Sequence, residues 1–493
     1  MTERSRREFL WTAGGYAAAA LALPRWLLPA APRSPQRQTF LPLAPGRAPQ
    51  KVVIAGAGLA GLVAGYELDR AGHDVAILEA QLRPGGRVLT LRAPFSDGLY
   101  AEAGAARIPD THDLTLRYAR EFNLKLAPFY PATGNFVNQI SGQRLVGAAG
   151  AAGGLPAGLT IEEQKLGAAG LWQKYVAGVV GEIGDPAAAG WSAAKFAAYD
   201  AETFPALLRR RGASPAAVRL MTLGADFDGA SALRILADLA VNGNVSRFFK
   251  IDGGNDLLPR AFAEKLAAKI HYGAELRRVQ QNQRGVRAAF LQGNLLHTVT
   301  ADRLICTIPF PVLKRVEFDP QLSDDKFYAM NGTYYLSASR LFFQEDQRFW
   351  AAKGLGGFAL ADWPIEVWYP TFDQKGPRGI LVGCLTGELS RRVSGLPEDR
   401  RIQMVLNEIE TLFSGAREHF EGGVSKCWDE DYWAKGAAQW FRPGQMVEFG
   451  PHMAAPEGRV HFAGEHTSPW PAWMQGALHS GLRAAAEVHN SAS

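Results

Sequence analysis

The stretch AEAGAARIPDTH, residues 101–112, sets Arg107 among Gly and Ala, in surroundings too small-sided for a solvated charge run and too polar for core. A guanidinium is planar and two-pronged, and its natural partner is a carboxylate. A second constellation lies upstream in KVVIAGAGLAGLVAGYELDRAGHDVAILEA, where Gly56, Gly58 and Gly61 stand in GxGxxG register. The first glycine of such a run allows a tight turn, the second lets a pyrophosphate approach the backbone, and the third lets a helix pack on a strand. The positive end of that helix then faces the phosphates. Glu79 closes the following strand, 23 residues after Gly56. A carboxylate there accepts from both ribose hydroxyls, so strand, glycines, helix, strand and acid together predict dinucleotide binding. The bland alternative for Glu79 is a solvated strand end.

A chain of 493 residues is too long for one compact core, so two or three domains or one interleaved pair are expected. Hydrophobic residues make up 47% and there are 53 glycines, the profile of a globular chain rich in tight turns. The formal charge is +5 with basic residues spread along the chain, a distribution that does not point to nucleic acid. At the N-terminus Arg6 and Arg7 precede Phe9, Leu10 and an Ala/Gly/Leu-rich run, the layout of a twin-arginine export signal over residues 1–31. The apolar run from Trp11 to Leu23 is too short to span a bilayer, and Pro24-Arg25 interrupts it. Trp11 departs from the basic residue that such signals often carry there. The expectation is a periplasmic or secreted protein, passed folded to the twin-arginine machinery. Cys306, Cys384 and Cys427 are scattered and odd in number, so neither a disulfide framework nor a metal spacing can be read from them.

Directly after Glu79 comes AQLRPGGRV, which resembles the flavin amine oxidase family. Further segments are similar to the same family in the same order: IDGGNDLLPRAFAEKL at 251–266, IHYGAELRRVQQNQRGVRAAF, DRLICTIPFPVLKRVEFDP, and RVHFAGEHTSPWPAWMQGALHSGLRAA at 459–485. The resemblance implies FAD. It puts Arg83 and Arg87 against the FAD phosphate or flavin, Gly85 and Gly86 in close approach, and the backbone near Leu276 at the adenine half. A Gly/Pro turn with two exposed arginines is the alternative for that segment. Gly464 and Glu465 would meet the ribityl and phosphate groups, with the N-terminus of the following helix aimed at the ring; Ala60, Ala80, Gly104, Ala105, Ala106, Trp473 and Met474 complete the implied cofactor contacts. The implied fold is α/β, a Rossmann-like FAD-binding domain (48–110, 245–320 and 425–493) interleaved with a mixed-sheet substrate-binding domain (321–424) and its mainly helical part (111–244).

Within that family EAGAARIP resembles the segment of L-amino-acid oxidases whose arginine grips the substrate carboxylate, and Arg107 falls at its position. Burying an amino acid's carboxylate without a partner costs several kcal/mol, on the order of the penalty for an unpaired buried charge. A structural ion pair, or a second FAD contact, is the alternative for Arg107; tied up by a protein acid, it would leave only a generic flavoenzyme. Ala437 stands where monoamine oxidases carry one tyrosine of their amine cage, and Trp473 stands at the second cage position. In VWYP, Trp368 or Tyr369 would help hold the carboxylate, and the backbone around Ala472 would accept from the amino group. Arg340 replaces the family's usual lysine, counted back from Phe349-Trp350. The implied activity is oxidative deamination of L-amino acids, apolar or aromatic, to 2-oxo acids, ammonia and hydrogen peroxide. The second reading is a periplasmic amine dehydrogenase or monoamine-oxidase-like enzyme passing electrons to an acceptor other than oxygen, such as a cytochrome or quinone. A flavin-fold protein that only binds a partner is a third, and a homodimer stays open.

Overall fold

The computed structural model describes residues 43–491 apart from 45, 149–154, 225–226, 228, 244 and 364. The export signal assigned to residues 1–31 lies outside the described residues. Among those described, no helix is long and apolar enough to cross a membrane.

Strand β1 (Lys51–Ala55) is apolar at four successive positions and all four are buried, the mark of a strand covered on both faces. Helix α1 (Leu59–Arg70) follows, then β2 (Asp74–Glu79), paired parallel to β1 from Lys51↔Asp74 to Ala55↔Leu78. Strands β3 (Ile270–Tyr272), β4 (Arg303–Cys306) and β5 (Val460–Phe462) complete a five-stranded sheet in the order β3-β2-β1-β4-β5, with every neighbour parallel. The chain turns outward in opposite directions from β1, to β2 on one side and β4 on the other. A crevice opens beyond their carboxyl ends, the usual ligand position in such sheets. Thr307, just past β4, seals one wall by donating its hydroxyl to the Ala55 carbonyl at 2.8 Å.

The second layer is a seven-stranded sheet in the order 420–427, 338–345, 379–386, 365–368, 355–361, 135–140 and 143–148. Its pairings are antiparallel except that between Leu355–Ala361 and Asn135–Ile140. The runs IEVWYP and GILVGCLTG do form strands here. The region 111–244 is less uniformly helical than its Ala-rich spacing predicts, because the hairpin Asn135–Ile140 and Gln143–Ala148 joins this sheet. The region also holds the short strand Leu126–Pro128 and a series of helices that ends in α2 (Ala232–Asn242), whose residues are all buried. Ser231 caps α2 by accepting from the Arg234 N–H at 3.3 Å, and its hydroxyl donates to Asp200. A helix buried on every side must be covered by neighbours, and α2 packs against the helices Gly178–Ile183, Ala197–Asp200 and Phe204–Arg210. The last helix, α3 (Met474–Asn490), returns to pack on α1.

Glu345 ends a strand of the seven-stranded sheet and is 0% exposed. Among the described residues neither of its carboxyl oxygens has a hydrogen-bond partner. Burial, then the charges of Asp346, Glu410 and Glu421, push it up to about 9. Between the ordinary carboxylate range and that value the folded chain holds a proton that the unfolded chain has lost, so stability falls as pH rises through this window. Glu345→Gln keeps the shape and removes the proton dependence. It should raise the melting temperature by about 2–5 °C at pH 8 and hardly at all at pH 5; equal gains at both pH values in thermal denaturation would contradict this account.

Candidate active site

One cavity runs from the carboxyl end of β2, past the N-terminus of α1, to the seven-stranded sheet. Gly56 has φ +106°, and a Cβ on it would lie 2.5 Å from Thr307 Oγ1. A Cβ on Gly61 would lie 2.0 Å from the Gly56 carbonyl oxygen, so this third glycine serves helix packing and does not reach the cavity. Gly58 differs: it is the N-cap of α1 with no side-chain cap, and a Cβ there would meet nothing within 4 Å. Its open side is the cavity, which leaves the first N–H groups of α1 facing that space.

Glu79 lies at the same end, with Ala80 and Leu276 on the wall beside it. Its Oε2 accepts from the Ala57 N–H at 2.6 Å and its Oε1 from the Gln81 N–H at 2.8 Å. Burial raises its pKa against these bonds. Each oxygen keeps a lone pair for a ribose hydroxyl. Gly85 donates to the Ala57 carbonyl at 2.8 Å, which holds the Gly85-Gly86 turn beside Gly58. Arg87 Nη1 bonds Glu465 Oε1 at 2.7 Å and the Ala437 carbonyl at 3.0 Å. Burial opposes both charges, yet Arg87 holds the Glu465 carboxyl below its ordinary range, aided by the Ala472 N–H. Arg83 departs from expectation: it is absent from the cavity wall and donates to Gly86 O at 2.8 Å and Pro84 O at 3.2 Å. It braces the glycine turn from behind.

This donor set fits FAD. Gly58 with the head of α1 would hold the pyrophosphate, Glu79 the adenosine ribose, and Arg87 with Glu465 the middle of the molecule. Gly86, Ala60, Gly104, Ala105, Ala106, Gly464 and Met474 line the same cavity, as the sequence led one to expect.

The far end holds Arg107, Arg340, Glu366, Trp368, Cys384, Ala437, Ala472 and Trp473. Arg107 is not the free fork that the sequence predicts. Its Nη1 lies 3.0 Å from Glu366 Oε1 and 3.1 Å from the Tyr130 hydroxyl, with the two side chains of the ion pair 8% and 7% exposed. Burial would depress the Arg107 pKa, and Glu366 more than offsets that. The tie to a protein acid that would leave only a generic flavoenzyme is thus present, but it takes Nη1 alone, and the Nε/Nη2 edge is not consumed by these bonds. Arg340 donates from Nη1 to the Glu102 carbonyl at 2.7 Å and to the Gly104 carbonyl. The guanidinium carbons of Arg107 and Arg340 each lie 4.6 Å from the centroid of Trp368. Two buried cations therefore share one ring, and of the two only Arg107 is ion-paired with Glu366. The nearby Glu102 is pushed up to about 7 by burial and is already bonded by Thr90 and Asn255.

Trp368 lines the cavity with its ring, and its indole N–H is buried without an acceptor among the described residues, so no protein group takes the donor expected to help hold a carboxylate. Tyr369 turns to the opposite side, edge-on to Trp350 at 4.8 Å, and is not on the wall. Side-chain alternation along a strand separates the two. Ala437 lines the cavity and forms no ring wall there. Ala472 adopts φ +72°, and its N–H donates to Glu465 Oε2 at 2.7 Å. Trp473 lines the cavity and donates from Nε1 to Asp238 at 3.2 Å.

Sequence reasoning missed Glu366, Tyr130, Arg234 and Asp238. Glu366 stands two residues before Trp368, on the same strand face, and an acid within an apolar strand was the readable sign. Arg234 and Asp238 are a lone i,i+4 charge pair in the apolar run SALRILADLAVNG.

Residues 59–489 match the family model of flavin containing amine oxidoreductases, and the chain belongs to that family. It is 34% identical over 454 residues to the putative L-amino-acid oxidase YobN of Bacillus subtilis (strain 168), covering 90% of this chain and 95% of that one. It is 30% identical over 454 residues to an L-amino-acid oxidase of Pseudechis australis, covering 90% and 87%. Among solved structures it superposes on cyclohexylamine oxidase from Brevibacterium oxydans IH-35A with TM-score 0.76 at 21% identity, covering 90% of this chain and 99% of that one. Putrescine oxidase bound to putrescine gives TM-score 0.76 at 23% identity, with 90% and 99% covered. The protein is an FAD-dependent enzyme of the amine oxidase family.

Gly58 separates cofactor space from fold. Gly58→Val should leave the melting temperature of the FAD-free chain within about 2 °C, since its side chain enters open cavity. FAD affinity should fall at least about tenfold, because the pyrophosphate loses close approach. Titration of the apo-protein with FAD checks it; undiminished affinity would remove the pyrophosphate from this loop.

Proposed function

We propose that the chain is an L-amino-acid oxidase acting on apolar or aromatic amino acids, releasing a 2-oxo acid, ammonia and hydrogen peroxide. The observation that carries this reading is the charge count at the substrate end. Arg107 and Arg340 bring two positive charges and Glu366 one negative, all largely buried on the cavity wall, while Glu102 is pushed towards its neutral form. One further anion balances the set, and the carboxylate of an amino acid whose amine is neutral supplies it. A cationic amine without a carboxylate would add to the imbalance.

Bound FAD supplies the two-electron oxidation of the substrate's carbon–nitrogen bond. The residues of the chain bind, orient and exclude water. The Nε/Nη2 edge of Arg107 receives the carboxylate while Glu366 and Tyr130 keep the guanidinium in plane. Trp368 and Trp473 wall the side chain, and Ala437 leaves it room. The Ala472 carbonyl accepts from the amino group. Water then hydrolyses the released imino acid. The relatives named L-amino-acid oxidases support the same assignment, and the Arg6-Arg7 segment extends it to an exported enzyme.

A second reading concerns the electron acceptor. Arg340 is fixed on two backbone carbonyls, where the usual lysine would offer a compact ammonium to a water. Slow reoxidation by oxygen, with fast reoxidation by a cytochrome c, would make the enzyme a dehydrogenase.

Arg107→Met alone strands Glu366, so the decisive variant is Arg107→Met with Glu366→Gln. With L-phenylalanine its kcat/KM should fall about 100- to 1000-fold, the loss expected for a buried charge partner. With 2-phenylethylamine it should change less than about threefold. Equal losses on both substrates would return the enzyme to the amine class.

A further inference from the structure

Trp473 is held from the helical segment as well as from the cofactor side. Its Nε1 donates to Asp238 Oδ1 at 3.2 Å, and Arg234 Nη1 lies 3.3 Å from the same oxygen. Arg234 and Asp238 stand one turn apart on α2 and share a face. Arg234 Nη2 donates to the Pro471 carbonyl at 3.3 Å, two residues before Trp473. The His112 ring stands edge-on to Trp473 with centroids 4.9 Å apart. His112 Nε2 is 2.7 Å from Asn242 Oδ1, and Asn242 Nδ2 donates to the Asp238 carbonyl at 2.8 Å. The chain of contacts thus closes on Asp238.

Nothing in the proposed chemistry uses Asp238 or Arg234, yet both are buried, at 9% and 2% exposure, and both line the cavity. A buried ion pair rarely exceeds a well-packed apolar pair in stability, so its presence calls for a task. On the other side of the same turn, the Ala472 N–H is bonded to Glu465 at 2.7 Å, with Ala472 at φ +72°. That backbone conformation costs a non-glycine residue about 1 kcal/mol, and external bonds must maintain it. Residues 471–473 therefore lie between two carboxylates, Glu465 near the cofactor end and Asp238 on α2.

We propose that Asp238, locked by Arg234, is a positioning residue that fixes the indole of Trp473 at the cavity wall, so that α2 determines how a substrate is presented. This rests on Trp473 facing the substrate, as in the proposed function, and is independent of whether the substrate carries a carboxylate. Without the carboxylate the indole loses its only polar anchor among the described contacts, and turnover should suffer more than binding. Asparagine keeps an acceptor oxygen at the same place.

The test uses full-length protein labelled with 5-fluorotryptophan, the Trp473 resonance being assigned by its loss in Trp473→Phe. Asp238→Ala should shift and broaden that fluorine resonance, and Asp238→Asn should leave it sharp. Should Asp238→Ala fail to fold, Arg234→Met with Asp238→Leu replaces the pair by apolar volume and should give the same displacement. In the holoenzyme, flavin reduction is followed with L-phenylalanine or 2-phenylethylamine, whichever reduces the wild type. Asp238→Ala should lower the limiting rate about tenfold with a smaller change in apparent Kd, as for a lost hydrogen bond felt in the transition state. Asp238→Asn should stay within about threefold of wild type, and Asp238→Ala should add no loss to Trp473→Phe. An unmoved Trp473 resonance in Asp238→Ala, or losses that multiply in the double variant, would overturn the proposal. Failure of both probes to reduce the wild type would instead count against the proposed function, and the resonance would still decide the role of Asp238.

Discussion

A guanidinium closed off from water has to find its counter-charge within the protein, and Arg107 sets this requirement for the whole substrate end. Its side chain is 8% exposed, and Glu366 answers it at 3.0 Å. Removing one member of such a pair costs about 3–5 kcal/mol, so the strand bearing Glu366 cannot shift without loss. That strand is in turn fixed between two antiparallel neighbours, Leu355–Ala361 and Gly379–Thr386. Tyr130 comes from a different segment and takes the same Nη1. Trp368 shields the pair from below and shares its ring with Arg340. The result is a cation whose orientation is set before a ligand arrives.

The cofactor end follows a similar logic with a different pair. Arg87 and Glu465 are 378 residues apart in the chain and 2.7 Å apart in space. Their bond joins the first nucleotide-binding unit to the C-terminal turn, and Glu465 passes the constraint on to Ala472. The same C-terminal turn carries Trp473 to the substrate side. One short turn therefore couples the two ends of the cavity.

The nucleotide end was largely legible in the sequence because its chemistry is local. Gly56, Gly58, Gly61 and Glu79 lie within one β-α-β unit, with Gly56 in the tight turn, Gly61 packed against the strand, and Gly58 and Glu79 on the cavity wall. Arg83 was misjudged since a Gly/Pro turn conceals which of two nearby arginines faces inward. The substrate end was legible only by resemblance. Arg107 was singled out as a free carboxylate fork, yet it is held by Glu366, 259 residues away, and no local pattern announces so distant a contact. Tyr369 could have been set aside by strand alternation once Trp368 was placed. The pair Arg234 and Asp238 was visible as a charge island in an apolar helix, yet its meaning depends on how α2 meets the last helix.

The account turns on one edge of one guanidinium being open to a carboxylate while the other stays with Glu366. A crystal structure of the FAD-loaded protein with benzoate, an unreactive carboxylate bearing an aromatic ring, examines this directly. The benzoate carboxylate should lie within hydrogen-bond distance of Arg107 Nε and Nη2, with the Glu366 bond intact and the ring beside Trp368 and Trp473. Benzoate bound elsewhere in the cavity, with Arg107 engaged by Glu366 alone, would contradict it.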